Sequence, residues 1–141
     1  MAIISKENIL KVLTGFNPWW KTGSVHSAFL KKYKRVAFTE ALKKLEETRI
    51  RRNVILSGAR RVGKTTIMYQ IIDKLLKDGI SPEKIVFISM DHPILKLSSL
   101  DTILECYHEN IYPNKDVYYF FDEIQYAQDW DRWLKTIYDT Q

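Results

Sequence analysis

The apolar positions change period repeatedly along the chain, and each period predicts an element. Ile3, Ile4, Ile9, Leu10 and Leu13 suit one face of a short amphipathic helix. Residues 15–24, GFNPWWKTGS, break that rhythm with Pro and Gly and read as an irregular lead-in. Helical spacing returns at Phe38, Leu42 and Leu45, and with Thr39 as N-cap it predicts a helix over 39–50. Asn53–Ser57, NVILS, is a short apolar run with β-branched residues and predicts a buried strand.

The second half alternates more sharply. Ile67, Met68, Ile71, Ile72, Leu75 and Leu76 form one buried helical stripe. Lys74 and Lys77 suit the C-terminal end of its dipole, and Gly79 suits the residue just past it. Ser81-Pro82-Glu83 turns the chain into a second strand, KIVFISM, at Lys84–Met90. Ser98–Asn110 reads as a helix with Leu100, Ile103, Leu104 and Tyr107 inward, and Val117–Phe121, VYYFF, as a third strand. Trp130, Trp133, Leu134, Ile137 and Tyr138 mark a last amphipathic helix. Strands alternating with helices predict an α/β fold with parallel strands joined by right-handed crossovers.

Chemistry enters between the first strand and the helix after it. Gly58-Ala59-Arg60-Arg61-Val62-Gly63-Lys64-Thr65 fits G-x-x-x-x-G-K-[ST] at every fixed position, in the strand–loop–helix context that the motif requires. Glycines let successive N–H groups converge on an anion, and the helix N-terminus adds partial positive charge. The expected ligand-facing residues are Gly58, Arg61, Val62, Gly63, Lys64, Thr65 and Thr66. Lys64 is expected on the β- and γ-phosphates, the Thr65 hydroxyl on Mg²⁺, and the Thr66 N–H on the α-phosphate. Arg60 and Arg61 either stay in solvent or touch a γ-phosphate or a neighbouring subunit.

The third strand runs into Asp122-Glu123, the pattern of a Walker B element. Parallel sheets bind ligands at the C-terminal edge of their strands, where the phosphate loop also lies. Asp122 is the expected metal ligand, and Glu123 the expected general base for an attacking water. Asn114-Lys115-Asp116 places its Asp one position early for a guanine-reading motif and ahead of the wrong strand, so ATP is expected rather than GTP. Asp91 either joins the outer shell of the metal or caps the turn at Pro93. Trp19 and Trp20 either pack against the core or flank an adenine. Cys106 and His108 read as packing and surface residues of a helix.

Composition changes this picture in two ways. No apolar run approaches the roughly 18 residues of a membrane span, and the N-terminus lacks the pattern of a secretory signal. The single Cys106 excludes an internal disulfide, so a reducing cytoplasm is the expected setting. Charge is unevenly spread over a net +5: residues 31–52 hold nine Lys or Arg against three Glu. That stripe is either a solvated basic face or a contact for nucleic acid.

SGARRVGKTT, VFISMD, FFDEIQYAQDWDRWLK and the N-terminal FNPWWKTG together resemble a prokaryotic family of AAA-type P-loop ATPases over nearly the whole chain. The resemblance implies an AAA-like core, ATP and Mg²⁺; the motif residues expected to act in hydrolysis are Glu123 and Lys64, and the full-length protein is either an oligomer or a monomer. The resemblance also implies a sensor strand, a basic residue for the γ-phosphate and a C-terminal domain beyond these 141 residues, which alone are expected to lack turnover. The chain then divides into a helical and irregular segment, 1–52, and a partial P-loop core of the additional-strand, catalytic-glutamate type, 53–141. In that type a strand from beyond the Walker B element separates NVILS from VYYFF. Either a gap or a rearranged pairing is therefore expected between them. The competing readings are a nucleotide-dependent switch or DNA-associated regulator without turnover, and a P-loop kinase.

Overall fold

A computed structural model describes residues 5–25, 54–56 and 64–139. The predicted helix over 39–50 and the basic stretch 31–52 lie outside them. The elements are α1 (Lys6–Phe16), α2 (Trp19–Thr22), β1 (Val54–Leu56), α3 (Lys64–Lys77), β2 (Ile85–Ser89), α4 (Pro93–Lys96), α5 (Leu100–Asn110), β3 (Tyr118–Asp122) and α6 (Trp130–Asp139). The three strands are parallel in the order β1-β3-β2, with Val54 beside Tyr119 and Ile85 beside Tyr118. Direct pairing of β1 with β3 is the second of the two expected arrangements, a pairing made without the intervening strand. Val54, Ile55 and Leu56 stand in register with Tyr119, Phe120 and Phe121, so the two inner edges satisfy each other's N–H and C=O groups and no gap remains.

Helices cover both faces of the sheet, and the strands alternate accordingly. Val86, Ile88, Tyr119 and Phe121 point into a core shared with α1, α5 and Trp133 of α6. Ile85, Phe87 and Phe120 point into a second core with Trp19, Met68, Tyr69, Ile71 and Ile72. Burial on both faces explains why the strands read as continuous apolar runs rather than alternating ones. Local signals set the helix ends. Ser5 and Ser99 accept from the N–H groups of Asn8 and Thr102, three residues on. Past α3, Gly79 takes φ 95°; its N–H donates to Leu76 O and that of Ile80 to Leu75 O. This double bond pattern needs the left-handed conformation that glycine adopts without a Cβ penalty.

The outer edge of β2 has no neighbouring strand among the described residues. The segment FNPWW serves it instead. Asn17 is fully buried; its Nδ2 donates to Phe87 O (2.9 Å) and its Oδ1 accepts from Phe87 N (2.6 Å), as an adjacent strand would. The indole N–H groups of Trp19 and Trp20 both donate to Ile85 O, at 3.0 and 2.8 Å. Ile85 N donates to Pro82 O. Residues 15–24 are therefore more regular than expected. α1 continues to Phe16, the helical turn α2 follows Pro18, and left-handed Gly23 ends it. The tryptophans take the packing alternative: Ile85, whose carbonyl both indoles meet, begins β2, at the end of the sheet opposite Asp122.

Asn17→Ala leaves two buried backbone groups without partners, and at about 1–3 kcal/mol each it is expected to cost roughly 2–6 kcal/mol of stability. Trp20→Phe leaves Trp19 on Ile85 O, so its lost hydrogen bond is expected to cost about 1 kcal/mol. Urea unfolding of both variants checks the order; a Trp20 variant less stable than the Asn17 variant would contradict this account of the edge.

Candidate functional site

The C-terminal edge of the sheet gathers the polar residues. Ser89, the last residue of β2, stands in register with Asp122, the last of β3. Asp122 and Glu123 are buried polar residues, with 6% and 4% of their surface exposed. An Asp122 carboxylate oxygen accepts the N–H of Glu123 at 3.1 Å. Glu123 has φ 54° and ψ 45°, the one positive φ outside glycine among the described residues. The chain leaves β3 there and enters at once a 3₁₀ turn at Ile124–Tyr126, in which Tyr126 N donates to Glu123 O (3.2 Å) and Ala127 N to Ile124 O (2.9 Å). Left-handed backbone costs a residue with a Cβ about 1–2 kcal/mol, and such outliers gather at functional sites. Gln125 Nε2 donates to Glu123 Oε1 at 2.7 Å.

β1 also ends at this edge, with Leu56 beside Phe121. β1 ends at Leu56 and α3 starts at Lys64, so residues 57–63 join strand to helix. Gly58, Arg61, Val62 and Gly63 lie in that connection, outside the described residues. Lys64, Thr65 and Thr66 form the first turn of α3, which contains no acidic residue to offset its positive end. Tyr69 follows one turn later, buried between Trp19 and Phe87 with ring centroids at 6.3 and 5.0 Å. Burial, and then the charge of Asp122, push its phenol above the ordinary range. Tyr69, one turn into α3, is thus within electrostatic reach of the end of β3.

Other sequence candidates fall elsewhere. Asp91 does not cap the turn at Pro93. His92 does so, its Nδ1 accepting from Ile94 N at 3.1 Å, while Asp91 Oδ1 accepts the Ser89 hydroxyl at 2.6 Å. Asp116 lies before β3, at the opposite end of the sheet, bound to Lys84 (3.1 Å) and to the Tyr112 hydroxyl (2.6 Å). Cys106 is buried and packs against the Lys6 carbonyl. His108 bridges Tyr112 O (2.7 Å) and the Tyr119 hydroxyl (3.0 Å), so it is a structural link rather than a surface residue. No helix among the described residues is long and apolar enough to cross a membrane. The described residues contain no cluster of three or more His, Cys, Asp or Glu placed to hold a metal ion. The buried Asp122 carboxylate suits Mg²⁺ nonetheless, because that ion typically takes one or two protein carboxylates and completes its shell with water and phosphate.

Residues 50–141, well over half of the chain, match the AAA domain family. The chain belongs to that family. The uncharacterized protein MJ1637 of Methanocaldococcus jannaschii is 34% identical over 127 residues, covering 85% of this chain and 26% of its own length. The uncharacterized protein MJ1544 of the same organism is 30% identical over 86 residues, covering 61% of this chain and 18% of its own. The chain thus spans about a quarter or less of the curated relatives it matches. No solved structure matches it. An AAA domain has the α/β fold of P-loop nucleotide-binding ATPases, which agrees with the parallel sheet and its flanking helices.

In this AAA domain the stretch DWDRW is architectural, which its polar composition did not reveal. Asp129 sits before α6 yet caps α5, its two carboxylate oxygens accepting from Leu100 N (2.9 Å) and Asp101 N (3.3 Å). Trp133 lies edge-on to Tyr119 and Phe121, with centroids at 5.3 and 5.1 Å. A cleft of about 750 Å³ beside Asp129, lined by Lys96, Ser99 and Arg132 among others, contains none of Tyr69, Ser89, Asp122 or Glu123. Asp129→Ala is expected to cost about 1–2 kcal/mol through the lost cap, with ATP affinity unchanged. Denaturant unfolding and a fluorescent ATP analogue check this; lost affinity at full stability would move Asp129 into the site.

Proposed function

We propose that this domain binds Mg-ATP and that, in the full-length protein, it hydrolyses ATP to ADP and phosphate. The observation that carries the reading is Glu123, buried and held in left-handed backbone directly after Asp122 at the strand edge toward which α3 opens. Membership of the AAA domain family supports the nucleotide-binding part.

In this reading the backbone N–H groups around Gly58–Gly63 cradle the phosphates, with Arg61 and Val62 in the loop, and the Thr66 N–H meets the α-phosphate. Lys64 brings its charge to the β- and γ-phosphates. Thr65 and Asp122 would hold Mg²⁺, which when bound neutralises charge on the phosphate oxygens. Glu123 accepts a proton from the water that attacks the γ-phosphorus, and the bond from that phosphorus to the bridging oxygen breaks as ADP leaves. Glutamate has the chemistry for this at neutral pH, and the turn after β3 holds it beside the metal ligand.

Lys64→Ala is expected to abolish or strongly weaken ATP binding by the full-length protein. Glu123→Gln is expected to retain binding and lose turnover by roughly 10²–10⁴-fold, the size of a lost general base. Equilibrium binding of an ATP analogue and steady-state phosphate release separate the two effects. Turnover at the wild-type rate in Glu123→Gln would remove Glu123 from the mechanism.

A further inference from the structure

We propose that Gln125 is a positioning residue that sets the direction of the Glu123 carboxylate. The inference rests on the reading of Glu123 as general base. Its own observation is the hydrogen bond from Gln125 Nε2 to Glu123 Oε1, 2.7 Å long, made across the 3₁₀ turn that leaves β3.

Three features make this contact more than a surface coincidence. The left-handed backbone of Glu123 bends the chain so that the side chain at 125 lies against the one at 123. The turn itself is anchored. Ile124 and Ala127 are buried in the core, and Lys96 Nζ lies 4.1 Å from the centroid of the Tyr126 ring. A donor on such a turn is held in place by neighbours that are themselves fixed. Finally, the donor is a neutral amide. An amide orients a carboxylate through an N–H bond without supplying a proton or a full positive charge, so the glutamate stays an acceptor for a proton from water. Lysine at 125 would form an ion pair with the base, and glutamate would repel it. Fixing Oε1 fixes the carboxylate plane and thereby the direction of Oε2. General-base catalysis is sensitive to that direction, since misplacement by about 1 Å can cost 10²-fold in rate.

Gln125 is exposed while Glu123 is buried, so truncating Gln125 removes nothing from the core and folding separates from catalysis. The test uses the full-length protein as wild type, Gln125→Ala, Gln125→Glu and Glu123→Gln, with kcat, KM for ATP, ATP-analogue affinity and melting temperature. Gln125→Ala is expected to lower kcat by about 10- to 100-fold with KM, affinity and melting temperature unchanged. Gln125→Glu replaces the donor with a second acceptor that cannot hold Oε1, and is expected to lower kcat at least as far as Gln125→Ala. Wild-type kcat in Gln125→Ala, with Glu123→Gln impaired, would overturn the role of Gln125 and leave that of Glu123 standing. A fall in kcat that came only with raised KM or a lowered melting temperature would also overturn it. Full turnover in Glu123→Gln, or a wild type without turnover, would remove the base and Gln125's role with it.

Discussion

A three-stranded parallel sheet must find partners for every buried backbone group, and the rest of this domain is arranged around that requirement. β3 meets it by lying between two strands, with Phe120 beside Ile55 on one side and Phe87 on the other. β2 meets it on its outer edge with side chains. Asn17 offers an amide whose N–H and C=O stand in for those of a neighbouring strand, and the paired indoles supply donors for Ile85. An unsatisfied buried amide costs far more than a typical hydrogen bond contributes, so this edge cover is a condition of the sheet. It also removes an exposed template for pairing with another chain. The same contacts draw α1 and α2 onto the sheet, so the N-terminal segment is part of the core.

The opposite priority governs the end of β3. There the backbone of Glu123 takes a conformation that costs energy, and a carboxylate is buried beside another. Such a residue persists only where its surroundings over-determine it. The hydrogen bonds of the 3₁₀ turn and buried Ile124 and Ala127 do so here. The side-chain cover of β2 meets Ile85 at its start and Phe87 at its middle, whereas the left-handed residue follows the C-terminal end of β3. Helix α3 connects the two regions. It starts at Lys64 and, one turn on, packs Tyr69 between Trp19 and Phe87.

Some residues that distinguish the sequence turn out to serve the frame. Asp129 and Trp133, in a polar and charged stretch directly after the catalytic candidates, cap α5 and pack on β3. That stretch therefore ties β3 to its flanking helices. The relatives in Methanocaldococcus jannaschii extend several-fold beyond the matched region.

The positions of β1, α3, β2, α5, β3 and α6 were legible in the sequence because each depends on a local period of apolar residues and on capping groups within a few positions. The motif around Gly58–Thr65 and the pair Asp122-Glu123 stood out as candidates for a related reason: phosphate and metal chemistry need particular residue types at fixed spacing along one stretch of chain. What tertiary structure alone decided are pairings between residues far apart in sequence. That β1 joins β3 directly depends on which edges are available. That Asn17 and two tryptophans complete the edge of β2, rather than lie loose or meet a base, depends on a carbonyl 65 residues away from Trp20. That His92 rather than Asp91 caps α4, and that Gln125 holds Glu123, depends on how each turn leaves its strand. Local periodicity specifies which backbone groups each segment satisfies for itself. The groups left over find partners only when the segments pack, and no pattern along the chain records which ones they choose.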